Sequence, residues 1–178
     1  MRQTLRLHPD SSCFAVTHIG VEVVRQQPHS LAFAYIVTGT ISDLAVPPMA
    51  AATRTDELWR HTCFEAFVGS SLSTAYYEFN FAPSTQWAAY RFGDYRSDMR
   101  IATEINAPQI TVESRPERYI LQASLELDQL PFSRDSTLRV ALSAVIEEIS
   151  GQRSYWALAH PAGKADFHHS DSFVLEVV

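Results

Sequence analysis

The sequence predicts an all-β fold, a two-sheet antiparallel sandwich of the jelly-roll or immunoglobulin-like kind with about eleven strands and little helix. Three observations predict it. Apolar and polar residues alternate at period two in one short segment after another, the pattern of half-buried strands. Nowhere does a 3.6-residue apolar period last three turns, as an amphipathic helix would require. Pro, Gly, Asp and Ser fall between the segments, where turns need them. The chain has 178 residues, 46% hydrophobic and 19% charged. It is therefore read as one globular domain over 1–178, large enough for a core without disulfide or metal staples.

The elements follow in order. Thr4 to His8 opens the sheet. Phe14, Val16 and His18 alternate, then Ile19, Val21 and Val23 take over the apolar role, a phase slip that predicts a bulge near Gly20. Leu31, Phe33, Tyr35 and Val37 form the next strand. Residues 43–57, with Pro47 and Pro48, read as a loop with at most one helical turn. Three strands lie between Asp56 and Arg96. Gln109 to Ser114 is short. Tyr119 to Leu127 and Leu138 to Ile146 give the cleanest alternation, and 128–135 between them is a turn or single helical turn. Residues 147–151 form a hairpin turn before a strand from Ser154 to Leu158. Residues 159–171 are a polar loop rich in His and Asp, and Phe173, Leu175 and Val177 close the sheet.

Charge and composition narrow the function. The net charge is -6 and no basic patch is visible, which argues against a nucleic-acid or anionic-membrane partner. No apolar run approaches the roughly 18 residues of a membrane-spanning helix, and the opening M-R-Q-T-L-R-L-H lacks the apolar run of a secretory signal. A cytoplasmic location is expected, with Cys13 and Cys63 as free thiols. The oligomeric state is not encoded in any pattern.

The stretch from Asp56 to Arg96 organises the rest. If Gly69 to Thr74 closes its first hairpin, Phe64 faces Phe79 and Ala66 faces Tyr77. If Pro83 to Thr85 closes the second, Phe81 faces Trp87. One face then holds Phe64, Ala66, Val68, Tyr77, Phe79, Phe81, Trp87 and Ala89, and must be core. The other holds Cys63, Glu65, Phe67, Tyr76, Glu78, Asn80, Tyr90 and Phe92. In this register Glu65 sits directly across from Glu78, and opposed like charges destabilise a strand pair. An arginine, a metal, a raised pKa or a ligand must compensate. Arg60, Arg91 and Arg96 are the cations nearby in sequence.

Four blocks, L-W-R-H-T-C-F-E-A-F, Y-Y-E-F-N-F-A-P-S-T-Q-W-A-A-Y-R-F, S-Y-W-A-L-A-H-P and A-D-F-H-H-S-D-S-F, together resemble the bacterial DOMON-like family, related to the family 9 carbohydrate-binding modules. The resemblance spans most of the chain, in the family's order. It implies a sandwich of two antiparallel sheets, and relatives that bind either haem or sugars.

Rings among acids and an amide suit a sugar, whose apolar face packs on aromatics while its hydroxyls meet carboxylates and amides. The same face has a plainer reading, in which a loop covers it and arginine neutralises the acids. Trp59 and Trp156, at strand ends, are the candidate stacking platforms, since Trp87 falls on the core face. The expected ligand-binding set is Trp59, Arg60, Glu65, Tyr76, Glu78, Asn80, Tyr90, Arg96, Trp156, His160 and His168. His160, Asp166 and His168 are weak metal candidates, because their spacing matches no metal motif. Haem, implied by the wider DOMON relatives, asks for Met and His ligands. Met49 and Met99 both fall in loops, and no C-x-x-C-H attachment sequence is present, so no cofactor is expected. No nucleophile elbow, phosphate-binding loop or zinc-hydrolase motif appears. The expected function is a non-catalytic module for a carbohydrate-like small molecule, such as a cell-wall sugar precursor. The alternatives are a protein-interaction module on the same face, or haem and redox binding.

Overall fold

A computed structural model describes residues 1–26, 30–128, 130–131 and 137–178. It is a β-sandwich, all-β, in which twelve strands form one continuous curled antiparallel sheet. The strands are β1 (Arg2–Leu7), β2 (Val16–Gln26), β3 (Ser30–Gly39), β4 (Cys63–Ser70), β5 (Tyr76–Phe81), β6 (Trp87–Phe92), β7 (Arg100–Ile101), β8 (Gln109–Arg115), β9 (Arg118–Glu126), β10 (Leu138–Glu147), β11 (Arg153–Ala157) and β12 (Leu175–Val177). Single 3-10 turns lie at Ile41–Asp43, Leu58–Arg60 and Ser170–Ser172. Among the described residues no helix is long and apolar enough to cross a membrane.

The front sheet runs β7-β6-β5-β4-β10-β11, and the back sheet β1-β2-β3-β9-β8. β1 joins them. Its first residues pair with β2, and Arg6 and Leu7 pair with Ala157 and Trp156 of β11. β12 pairs with the start of β10, beyond the end of β11. Between the sheets lies one core. Val21, Phe33, Tyr35 and Leu121 of the back sheet meet Phe64, Phe79, Leu142 and Trp156 of the front. A fully buried side chain of this size contributes about 1.5–3 kcal/mol relative to exposure, so this core is the main source of stability.

The alternation resolves into strands almost as expected, and three details differ. The register slip lies between Val16 and His18, not at Gly20. The short strand β7, on the edge, completes the twelve; two exposed residues with no alternation leave no pattern to read. The β4–β5 hairpin pairs Phe64 with Phe81 and Gly69 with Tyr76, two residues away from the expected register. Both registers bury the same face, so alternation alone cannot separate them. Glu65 consequently faces Asn80, and Glu78 faces Phe67. The two acids are diagonal neighbours instead of direct opposites, which eases their repulsion. The β5–β6 pairing, Phe81 with Trp87 and Phe79 with Ala89, is as expected. The turn expected at 128–135 falls largely outside the described residues.

One bond ties the back sheet to the strand that holds the first acid. The Tyr35 hydroxyl, wholly buried, donates to the Glu65 backbone carbonyl at 2.7 Å. A buried bond of this kind is worth roughly 1 kcal/mol, and its loss strands a polar group. Tyr35→Phe is expected to lower unfolding stability by about 1–2 kcal/mol, seen as a lower urea midpoint with an unchanged slope.

Candidate functional site

Strands β4 and β5 are buried along their whole length. One face looks into the core. The other is the face the sequence marks as aromatic and acidic, and here Phe67, Tyr76, Ala88, Tyr90, Phe92 and Ala141 form a second apolar cluster. Phe167 and Phe173, from the segment after β11, and Leu58, from the turn before β4, pack onto it. Half of the plainer expectation therefore holds: chain does cover much of this face.

The cover has an opening. A cavity of about 660 Å³ lies over the sheet, with Glu65, Glu78 and Val145 in its lining. Trp59, Phe92, Tyr155 and Phe167 also line it. Arg96, Arg153, Lys164 and Asp10 bring charge to it, His8, Ser11 and His168 add polar groups, and Met99 a thioether. This volume lies within the usual range for small-molecule sites.

The roof is the segment from His160 to His168, pinned at both ends. At one end the His160 ring Nε2 lies 2.8 Å from the Arg6 carbonyl and His8 Nε2 lies 3.0 Å from the Gly163 carbonyl. His8 Nδ1 accepts from Asp10 N, so His8 Nε2 is the donor. The two rings meet edge to face at 4.8 Å. At the other end Asp166 accepts from the Arg96 guanidinium at 2.8 Å and from the Tyr95 hydroxyl. These donors hold its carboxyl below the usual range, against the effect of burial. Arg96 itself has left-handed backbone, φ 49°, and its N–H donates to the Tyr76 hydroxyl at 3.3 Å.

From Tyr76 a chain of polar groups runs into the cavity. Its hydroxyl and His168 Nδ1 are 2.8 Å apart. Burial first, and the positive Arg96 second, push the His168 pKa down to about 4. The ring is neutral at physiological pH, so its 3.7 Å approach to Glu78 is not an ion pair. With Nδ1 engaged by Tyr76, Nε2 is the ring nitrogen turned towards Glu78. Glu78 accepts from Asn80 Nδ2 at 2.8 Å, and Glu65 accepts from the Ser143 hydroxyl at 2.8 Å. Glu65 is 3% exposed and Glu78 6%. Burial raises the pKa of both, and the charge of Glu78 raises Glu65 further. Neither carboxyl is bonded to a lysine or arginine among the described residues; the expected arginine neutralisation is absent, and Arg96 acts on them only through space.

The remaining expected residues separate. Trp59, Arg96, Glu65, Glu78 and His168 line the cavity together. Tyr76 and Asn80 stand behind it as partners of His168 and Glu78. Trp59 is 42% exposed, with the Arg60 guanidinium over its ring and Arg60 itself paired to Glu57. Tyr90 is buried and donates to Asp56. Trp156 does not meet Trp59 across the cavity: it is 5% exposed, faces the core and donates to Ser154. Its neighbour Tyr155 has the outward place. Period-two alternation in Ser154–Tyr155–Trp156 carries this signal, because strand phase and not ring size sets the direction of each side chain. His8, Arg153 and Lys164 were not legible, because only the curl of the sheet brings β1, β11 and the roof together.

His160, Asp166 and His168 do not converge on a metal-binding centre. Among the described residues no group of three or more His, Cys, Asp or Glu is placed to hold a metal ion. The haem alternative asks for a Met and a His ligand. Met99 and His168 share the cavity lining; His168 Nδ1 is engaged by the Tyr76 hydroxyl, and Nε2 lies 3.7 Å from Glu78.

Solved structures share this architecture. A candidate carbohydrate-binding protein from Bacteroides uniformis ATCC 8492 superposes with a TM-score of 0.71 over 97% of this chain and 84% of its own, at 13% identity. A family 9 carbohydrate-binding module from Caldicellulosiruptor kristjanssonii, solved with cellotriose, gives a TM-score of 0.53 over 92% and 74%, at 11% identity. The likeness is one of fold. No family profile and no curated protein matches the sequence.

The buried acids set a pH dependence. Their folded pKa values stand above the ordinary 4.5 of glutamate, so the native state holds protons that the unfolded chain gives up. Their contribution is fully present below pH 4.5 and is lost as pH rises through the raised values. Glu65→Gln is therefore expected to gain on the natural protein between pH 5 and pH 9. The gain is about 1.4 kcal/mol for each unit of the raised pKa, read from urea unfolding at a series of pH values. A constant difference across that range would contradict it.

Proposed function

We propose that the chain is a non-catalytic binding module that takes a carbohydrate-like small molecule in the cavity over Glu65 and Glu78. One observation supports the reading above all: two buried carboxyls, with no cation bonded to them among the described residues, open into a cavity walled by Trp59, Phe92, Tyr155 and Phe167. Carboxyls accept sugar hydroxyls, and aromatic walls pack on the apolar face of a pyranose ring. A concave site of this size suits a small molecule better than the flat surface typical of a protein partner. The amide of Asn80 holds Glu78 in place without neutralising it, which leaves its other carboxyl oxygen to a ligand.

The fold likeness adds support of a general kind. Two solved structures of this architecture are described through carbohydrate binding, one of them with cellotriose bound. The DOMON-like resemblance in the sequence is compatible with this reading, since it implies relatives that bind either haem or sugars. A cytoplasmic placement, if it holds, makes cell-wall sugar precursors the natural candidates within this class.

Calorimetry against glucose, cellobiose, N-acetylglucosamine and their nucleotide-linked forms tests the reading. Binding in the millimolar range or tighter is expected for at least one. Trp59→Ala and Tyr155→Ala are expected to weaken it by about tenfold each, the loss of one ring contact. No heat from any of these sugars at millimolar concentration would overturn the proposal.

A further inference from the structure

The floor of the cavity asks for more than hydroxyl groups. Glu65 uses one carboxyl oxygen, Oε2, to accept from Ser143. Its other oxygen has no donor among the described residues, although Glu65 is only 3% exposed. Glu78 gives Oε1 to Asn80, and the nearest partner of Oε2 is the His168 Nε2 at 3.7 Å, beyond hydrogen-bond reach. Glu65 and Glu78, diagonal neighbours, thus line one cavity, and each keeps a carboxyl oxygen with no close donor among the described residues.

We infer that, within the proposed sugar site, this floor receives a primary ammonium, so that the preferred ligand is an amino sugar. The argument is electrostatic. A hydroxyl gives one proton to one carboxylate and leaves the repulsion between Glu65 and Glu78 in place. An ammonium offers three donors and a positive charge, so it bonds both acids and cancels their mutual repulsion. Without it, the two groups shed charge by keeping protons, the response burial imposes on unpaired acids. The aromatic walls add to the preference, since ring faces attract cations.

The other charged groups around the cavity do not reverse this. On the segment after β6, Arg96 is already matched by Asp166 of the roof. On the roof, His168 is neutral. On β11, Arg153 is exposed and directs a guanidinium nitrogen to the Arg60 carbonyl at 3.3 Å. Lys164 of the roof and Asp10 after β1 are exposed and of opposite sign, so water and salt screen them from the floor.

The inference rests on the sugar-binding reading, and one experiment separates their failures. The natural protein is titrated calorimetrically with glucosamine, glucose and N-acetylglucosamine at about pH 6, below the range of primary amines. Each titration is repeated in two buffers of different ionisation enthalpy, which reports protons released. Glucosamine is expected to bind at least about tenfold more tightly than the other two, and to release protons from the floor where the neutral sugars release none. Glu65→Gln and Glu78→Gln are expected to abolish the preference, with thermal unfolding confirming that each variant is folded. Equal affinity for the three sugars, or glucosamine binding with no proton release, overturns the inference and leaves the sugar-binding reading standing. No binding of any sugar overturns both. Should the variants not fold, the comparison of ligands and buffers on the natural protein still decides.

Discussion

The carboxyls of Glu65 and Glu78 project from strands that are buried on both sides, and most of the local structure answers to that constraint. A charge in such a place is costly unless it is paired or given up. Among the described residues each acid has one neutral donor, Ser143 or Asn80, and no direct cation. The nearest imidazole, His168, is itself held neutral by burial and by Arg96. What remains is an under-satisfied acidic floor, open to a cavity.

The roof explains how such a floor can persist. A polar segment rich in His and Asp would ordinarily be a solvated loop. Here it is fastened across the front sheet by His8 and His160 at one end and by the Arg96, Tyr95 and Asp166 cluster at the other. Phe167 and Phe173 fill the space beneath it, against Phe67, Tyr76 and Phe92. The roof thus dries the floor without closing it. Tyr76 links the two parts, since its ring stacks on Phe92 at 4.9 Å while its hydroxyl engages His168 and the Arg96 backbone. The left-handed backbone at Arg96 is the local strain that lets one residue reach both Tyr76 and Asp166.

Trp59, Tyr155 and Trp156 show how a site was partly legible. Large aromatics at strand ends were the right kind of residue to examine, and Trp59 does line the cavity. Ring size alone misdirected the second choice. In β11 alternate residues point to opposite faces, so Trp156 serves the core and the smaller Tyr155 serves the cavity. The pairing of Glu65 with Glu78 was misjudged for a related reason. Alternation fixes a face, and every register that differs by two residues satisfies it equally.

The sequence by itself determined the all-β class, nearly every strand, the core face of the central hairpins, and the set of acids and rings on the reverse face. Each is a local property, written in period-two alternation and turn residues. Tertiary structure alone decided whether that reverse face was open, which residues shared the cavity, and what charge state its acids hold. Those depend on residues far apart in the chain, such as His8 and Gly163 or Tyr76 and His168, and on burial. Burial is a property of the whole packed molecule, and no short window of sequence contains it.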